Sequence, residues 1–112
     1  MITFVAFAAA AALGALARAE AGRRWNRHEG LPFGTLAVNV TGSFLLGLMW
    51  DVAPPAMTVV GVAGLGALTT FSSFARDIVA LAELRRIALA ATYLAATCVA
   101  GVAAAAAGVA LA

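Results

Sequence analysis

Four uncharged stretches, Met1–Ala17, Gly30–Trp50, Val52–Ala75 and Ile87–Ala112, occupy nearly all of this 112-residue chain and limit what it can fold into. A helix that crosses the hydrocarbon of a bilayer needs roughly 20 apolar residues. Hydrocarbon offers no partner to backbone N–H and C=O groups, so such stretches satisfy one another as helices. The chain therefore reads as an all-α membrane protein: one four-helix transmembrane domain over residues 1–112, with spans at about 2–19, 32–50, 55–75 and 87–111. The spans leave no room for a soluble domain among these residues, which places any function inside the membrane.

Composition agrees. With 64% hydrophobic and 11% charged residues and a mean hydropathy of +1.02, the chain lacks the polar surface that a soluble domain of this size needs. Met1–Ala17 followed by Ala-Arg-Ala is also compatible with a secretory signal, but no basic residue precedes Arg18, so a retained first span is expected. The chemistry of an enzyme is missing. There is no His/Cys/carboxylate cluster, no glycine loop for a phosphate and no nucleophile triad; His28 stands in a short polar loop and reads as solvated. Cys98 is the single cysteine, which excludes a disulfide within the chain, and it reads as a small packing residue.

All seven basic residues are arginines, namely Arg18, Arg23, Arg24, Arg27, Arg76, Arg85 and Arg86. With four spans they fall in or beside the loops after the first and third, which share one side of the membrane. The positive-inside rule puts that side in the cytoplasm and both termini outside. Trp25 and Trp50 lie near span ends, as interfacial anchors do. Arg18 closes the first span, either snorkelling to the interface or drawing anions to an aqueous vestibule.

The polar residues within the spans are ordered. In the second span Thr35, Asn39, Ser43 and Gly47 recur every four positions and share one helical face. Such a small, polar stripe suits close helix contact, with Asn39 as interhelical glue or, alternatively, as an N–H donor to a passing anion. In the fourth span Tyr93, Thr97, Gly101 and Ala105 repeat the pattern, suited to face the first stripe. The third span passes Gly61, Gly64 and Gly66 before Thr69, Thr70, Phe71, Ser72, Ser73 and Phe74. Glycines and then consecutive hydroxyls weaken a helix, so the third span is expected to break near its middle, between Gly66 and Ser73. Freed carbonyls there are hard ligands suited to a small cation; hydroxyls bonded back onto the preceding turn are the alternative. Beyond Phe74, Arg76–Glu83 reads as a short amphipathic helix with a solvated charged face.

Gly34 to Phe44 and Gly66 to Phe74 resemble the two signature motifs of the Fluc/CrcB fluoride channels. The resemblance extends over all four spans, with Gly-x-x-x-Arg ending the first and Tyr93 in the fourth. It implies a passive channel that exports fluoride from the cell, built as an antiparallel dimer with two pores. Asn39 would line the pore, and Phe71 and Phe74 would turn ring edges to fluoride. Tyr93 and Thr97 would form a polar track, with Ser72 and Ser73 as its hydroxyl-bearing turn and Arg18 at the vestibule. A structural sodium at the dimer centre would be held by backbone carbonyls of Gly66 and Thr69 from each subunit. Some positions depart from the family pattern: Ser73 replaces the usual threonine, Ala19 a common aromatic, and Gly101 a hydroxyl that some relatives carry.

The arginine asymmetry adds an expectation of its own. One sequence that inserts both ways needs nearly balanced loop charge, so this chain is expected to pair with an oppositely oriented paralogue, with self-pairing as the alternative. Two other classes stay open. A small multidrug-type transporter of similar size would want a carboxylate deep in a span, whereas Glu20, Asp51, Asp77 and Glu83 lie near span ends. A non-conducting structural subunit would have no need of Asn39, Phe71 and Phe74 together.

Overall fold

A computed structural model describes residues 1–27 and 30–112; His28 lies outside the described residues. The described chain is helical. Helix α1 runs Ile2–Trp25 and α2 runs Phe33–Leu48; α3 comprises a π-wound stretch, Met57–Leu65, and a closing turn, Gly66–Leu68. Helices α4, Phe71–Glu83, and α5, Ile87–Leu111, complete the order. The stretches Ile2–Trp25, Met57–Glu83 and Ile87–Leu111 are each long and apolar enough to cross a membrane, whereas α2 is apolar but shorter. At 1.5 Å per residue its 16 residues reach about 24 Å.

The apolar side chains mostly face outward. Phe4, Leu13, Val99 and Val102 are exposed, while the buried positions are largely small or polar, as expected when the solvent is lipid. α1 lies chiefly on α3, and α2 on α5. Small residues set both distances. A Cβ at Gly14 would strike the Gly64 carbonyl oxygen, and one at Gly47 or Gly108 would strike the backbone of the opposite helix. The α2 and α5 stripes do meet, in parallel and at one constant offset: Asn39 with Thr97 on a shared groove, Ser43 beside Gly101, and Gly47 against Ala105.

One boundary differs clearly from the sequence expectation. Helix α1 outlasts the expected first span, carrying Arg23 and Arg24 on helix and not in loop. Glu20 holds that last turn, accepting from Arg23 Nε at 3.0 Å and from Arg23 NH2 at 2.6 Å, with Arg24 Nε on the same carboxylate. These are the one-turn pairs that favour continued helix. The start of α2 is then fastened by Asn26, which accepts from the Thr35 N–H at 3.0 Å and donates Nδ2 to Thr35 Oγ1 at 3.1 Å. This supplies one of the N–H partners a helix start lacks.

The larger side chains collect where α4 meets α5. Phe74, Leu81, Ala90 and Tyr93 form a buried cluster, with Leu36 and Ile78 packed on it.

Candidate functional site

The site is built on the two residues between α3 and α4. Thr69 (φ −79°, ψ 155°) and Thr70 (φ −151°, ψ 120°) are extended, so the helical hydrogen-bond ladder stops there. Thr70 is buried, and its peptide groups need partners. Asn39 provides them from α2: its Oδ1 accepts the Thr70 N–H at 2.7 Å and its Nδ2 donates to the Thr70 carbonyl at 3.0 Å. One amide thus matches one extended peptide, donor to acceptor and acceptor to donor. Thr70 in turn caps α4, its Oγ1 accepting the Ser73 N–H at 3.0 Å.

These bonds have an effect one turn back. In an unbroken helix the Gly66 carbonyl would accept from the Thr70 N–H, and the Thr69 carbonyl from the Ser73 N–H. Both donors are diverted, to Asn39 Oδ1 and Thr70 Oγ1. The Thr69 hydroxyl bonds back to the Leu65 carbonyl at 2.9 Å.

Beside the junction lies an open groove of about 670 Å³, lined by Asn39, Thr69, Thr70, Phe71, Phe74 and Thr97 among others. Phe71 is 79% exposed and Phe74 8%. Their ring centroids are 6.0 Å apart at 56°, and Phe74 meets Tyr93 at 5.2 Å and 59°. Tilted rings bring positive edges toward negative faces and leave other edges outward. Thr97 Oγ1 is buried without a hydrogen-bond partner among the described residues. Cys98, expected as a packing residue, is instead exposed and lines the groove. Helical spacing puts it beside Thr97 on the open flank of the α5 stripe.

A second space, about 460 Å³, lies on the other side of the start of α4 and is lined by Arg18, Arg23, Ser72, Ser73, Arg76 and Asp77 among others. The residues singled out in the sequence therefore divide. Asn39, Phe71, Phe74 and Thr97 line the groove, whereas Arg18, Ser72 and Ser73 line the chamber. Tyr93 is fully buried, its ring tilted against Phe74 and its hydroxyl donating to Asp77 Oδ2 at 3.2 Å. Asp77 is the residue that sequence reasoning missed. Assigned to a solvated face, it is half-buried and bonded to Tyr93. Its place one helical turn after Phe74, on the same face, was the available signal.

Three helices of membrane-crossing length and a shorter one, with polar groups gathered at a helix interruption, define a small multi-pass membrane protein with an embedded polar site. Residues 5–109 match the family described as CrcB-like protein, Camphor Resistance (CrcB), and the chain belongs to that family. It is 40% identical over 106 residues to a Rhodospirillum centenum protein, covering 87% of this chain and 84% of that one. An Agrobacterium fabrum protein is 44% identical over 89 residues, covering 71% and 70%. A third, from Pseudoalteromonas translucida, is 48% identical over 56 residues; that match takes in 44% of this chain and 47% of the relative, under half its length. All three relatives bear the name fluoride-specific ion channel FluC.

Proposed function

We propose that this chain is a subunit of a fluoride-specific channel in the inner membrane, passing fluoride out of the cytoplasm down its gradient and so relieving fluoride toxicity. It is a pore and not an enzyme. Family membership and the names of the relatives support the cargo. The observation that carries the mechanism is the Asn39–Thr70 junction with Phe71 and Phe74 set beside it on one groove.

A conducting site must replace part of the ion's water and still release the ion. The groove offers only weak donors. Asn39 spends one N–H on Thr70 and keeps the second; Thr97 has an unspent hydroxyl; Phe71 and Phe74 contribute ring edges. None of its lining residues is a guanidinium that would trap the ion. On this reading Tyr93, Ser72 and Ser73 continue the track from the rings toward Arg18. Four spans are completed by α2 with the residues flanking it, and the third span is the one interrupted, at Thr69–Thr70.

The pore is completed by an antiparallel second subunit. Phe71 is exposed on an open groove, and Gly66 is exposed with no atom closer than 3.9 Å to where a Cβ would stand, so packing within the chain does not require glycine there. The diverted N–H groups leave the Gly66 and Thr69 carbonyls suited to a structural sodium shared with that partner. Such an ion would supply electrostatic cross-linking at the subunit junction. With every arginine on one side, both termini lie outside and the preferred partner is an oppositely oriented paralogue. Equal labelling of a carboxyl-terminal tag from both membrane faces would point to self-pairing instead.

Fluoride efflux from liposomes, followed with a fluoride electrode beside a chloride control, tests the reading. The chain, alone or co-expressed with its paralogue, should release fluoride selectively, and Phe71→Ile should reduce release to the protein-free background. Absence of fluoride-selective release in both preparations would overturn it.

A further inference from the structure

Behind α2, away from the groove and the chamber, two clefts of about 410 Å³ each run along its outer side. One lies toward α1, lined by Ala21, Ala37, Val38 and Thr41 among others; the second lies toward α5, lined by Phe33, Ala37, Val40 and Ala96 among others. Trp25 and Ala37 belong to both, so the clefts meet at the last residue of α1. Ala37 stands two residues before Asn39, about 200° round the helix, and so faces away from the groove where the second subunit is placed. From Phe33 to Thr41 α2 rises about 12 Å, which confines the clefts to one half of the bilayer. Over that length each cleft averages roughly 35 Å² in cross-section, under half that of a helix about 10 Å across. The clefts are too narrow for a protein helix and suit flexible hydrocarbon chains.

Charge gathers at the end where they meet. Arg24 and Glu20 line the first cleft beside Trp25, and exposed Arg27 follows. Glu20 is shared: Arg23 gives it Nε and a terminal nitrogen, whereas Arg24 gives only Nε. The two terminal nitrogens of Arg24 bond to no group among the described residues, and Arg27 makes no ion pair among them. Arg24 is one residue on from Arg23, about 100° round α1, and lines this cleft and not the chamber. Trp25 is 55% exposed, with an apolar ring and an N–H able to donate to an ester or phosphate oxygen.

We infer that the paired clefts bind one anionic diacyl phospholipid, with an acyl chain in each, Trp25 between the chains and the headgroup phosphate on Arg24 and Arg27. Guanidinium forks match phosphate oxygens, and the excess of arginine over Glu20 disfavours a headgroup that carries its own ammonium. On the orientation proposed above, the lipid comes from the cytoplasmic leaflet, where anionic headgroups attract juxtamembrane arginines. The binding does not depend on the channel reading.

Quenching of Trp25 fluorescence tests it. Trp50→Phe leaves Trp25 as the single tryptophan in vesicles of phosphatidylcholine, with either phosphatidylglycerol or phosphatidylcholine brominated in its chains. Phosphatidylglycerol should be preferred roughly tenfold at Trp25, and Arg24→Gln and Arg27→Gln should each cut the preference about threefold. Ala37→Leu, which places bulk where the clefts meet, should reduce quenching by both lipids with no change of charge. Trp50, read alone in Trp25→Phe, should show no preference. Size-exclusion profiles guard against misfolding, and Arg27→Gln breaks no ion pair among the described residues. Equal quenching of Trp25 by the two lipids, or a preference unchanged in both arginine variants, would overturn the headgroup site. Quenching of Trp50 but not Trp25 would overturn lipid occupancy and indicate that another protein surface, such as a second copy, covers the clefts. Fluoride release from the same vesicles reports on the channel reading separately.

Discussion

The groove and the chamber lie on opposite sides of the first turn of α4 and handle charge in opposite ways. On the groove side an amide, a hydroxyl and ring edges offer partial positive charge. On the chamber side full charges do so, from Arg18 and Arg76. Weak donors let an ion pass, whereas strong donors collect it. A path for a strongly hydrated anion needs both, placed in sequence so that the strong ones never sit at the narrow point. Two sets of contacts join the two spaces: Phe74–Tyr93–Asp77, and the Thr70 hydroxyl with Ser72 and Ser73.

The most damaging way to break this division is at the groove's foundation. Asn39→Ala removes both partners of the buried Thr70 peptide and should cost about 2 kcal/mol of stability, read as earlier thermal unfolding in detergent, together with loss of fluoride release. The chamber can be separated from the groove by salt. Arg76→Gln should slow release severalfold at about 0.01 M ionic strength, where the Debye length is near 30 Å, and hardly at all at about 1 M. A mutation in the groove should lower release equally at both. Tyr93→Phe breaks one of the links between the two spaces at a cost of about 1 kcal/mol in unfolding measurements, the value of one hydrogen bond. The smallest effect on stability is expected of Thr97→Val, since that hydroxyl has no partner to lose among the described residues; a drop in fluoride release with unfolding unchanged would identify it as a donor to the ion.

Much of the architecture was legible because membrane helices announce themselves by uncharged length. The four-residue recurrence from Thr35 to Gly47 and from Tyr93 to Ala105 also disclosed which faces would meet. What stayed hidden depends on rotation and depth. Ser72 and Phe71 are neighbours in sequence, yet they line different spaces because successive helical residues point about 100° apart. Asp77 resembled any charge near a span end until the buried Tyr93 was placed beside it. Likewise the continuation of α1 through Trp25 rests on Glu20 meeting Arg23 and Arg24, pairs that a search for apolar runs passes over.

The amide of Asn39 fits the Thr70 peptide as a neighbouring β-strand would, with both atoms paired at once. Such a fastening has no intermediate setting. Turning α2 by one residue swings the amide through about 100° and releases both bonds together, so the interruption is clocked to the rotation of a helix some thirty positions earlier in the chain. Lipid-facing side chains can drift with little consequence, but a single residue inserted between Thr35 and Asn39 would pull the two fastenings of α2 out of phase. The register of α2, more than the identity of its lipid-facing side chains, thus sets where the ladder between α3 and α4 stops.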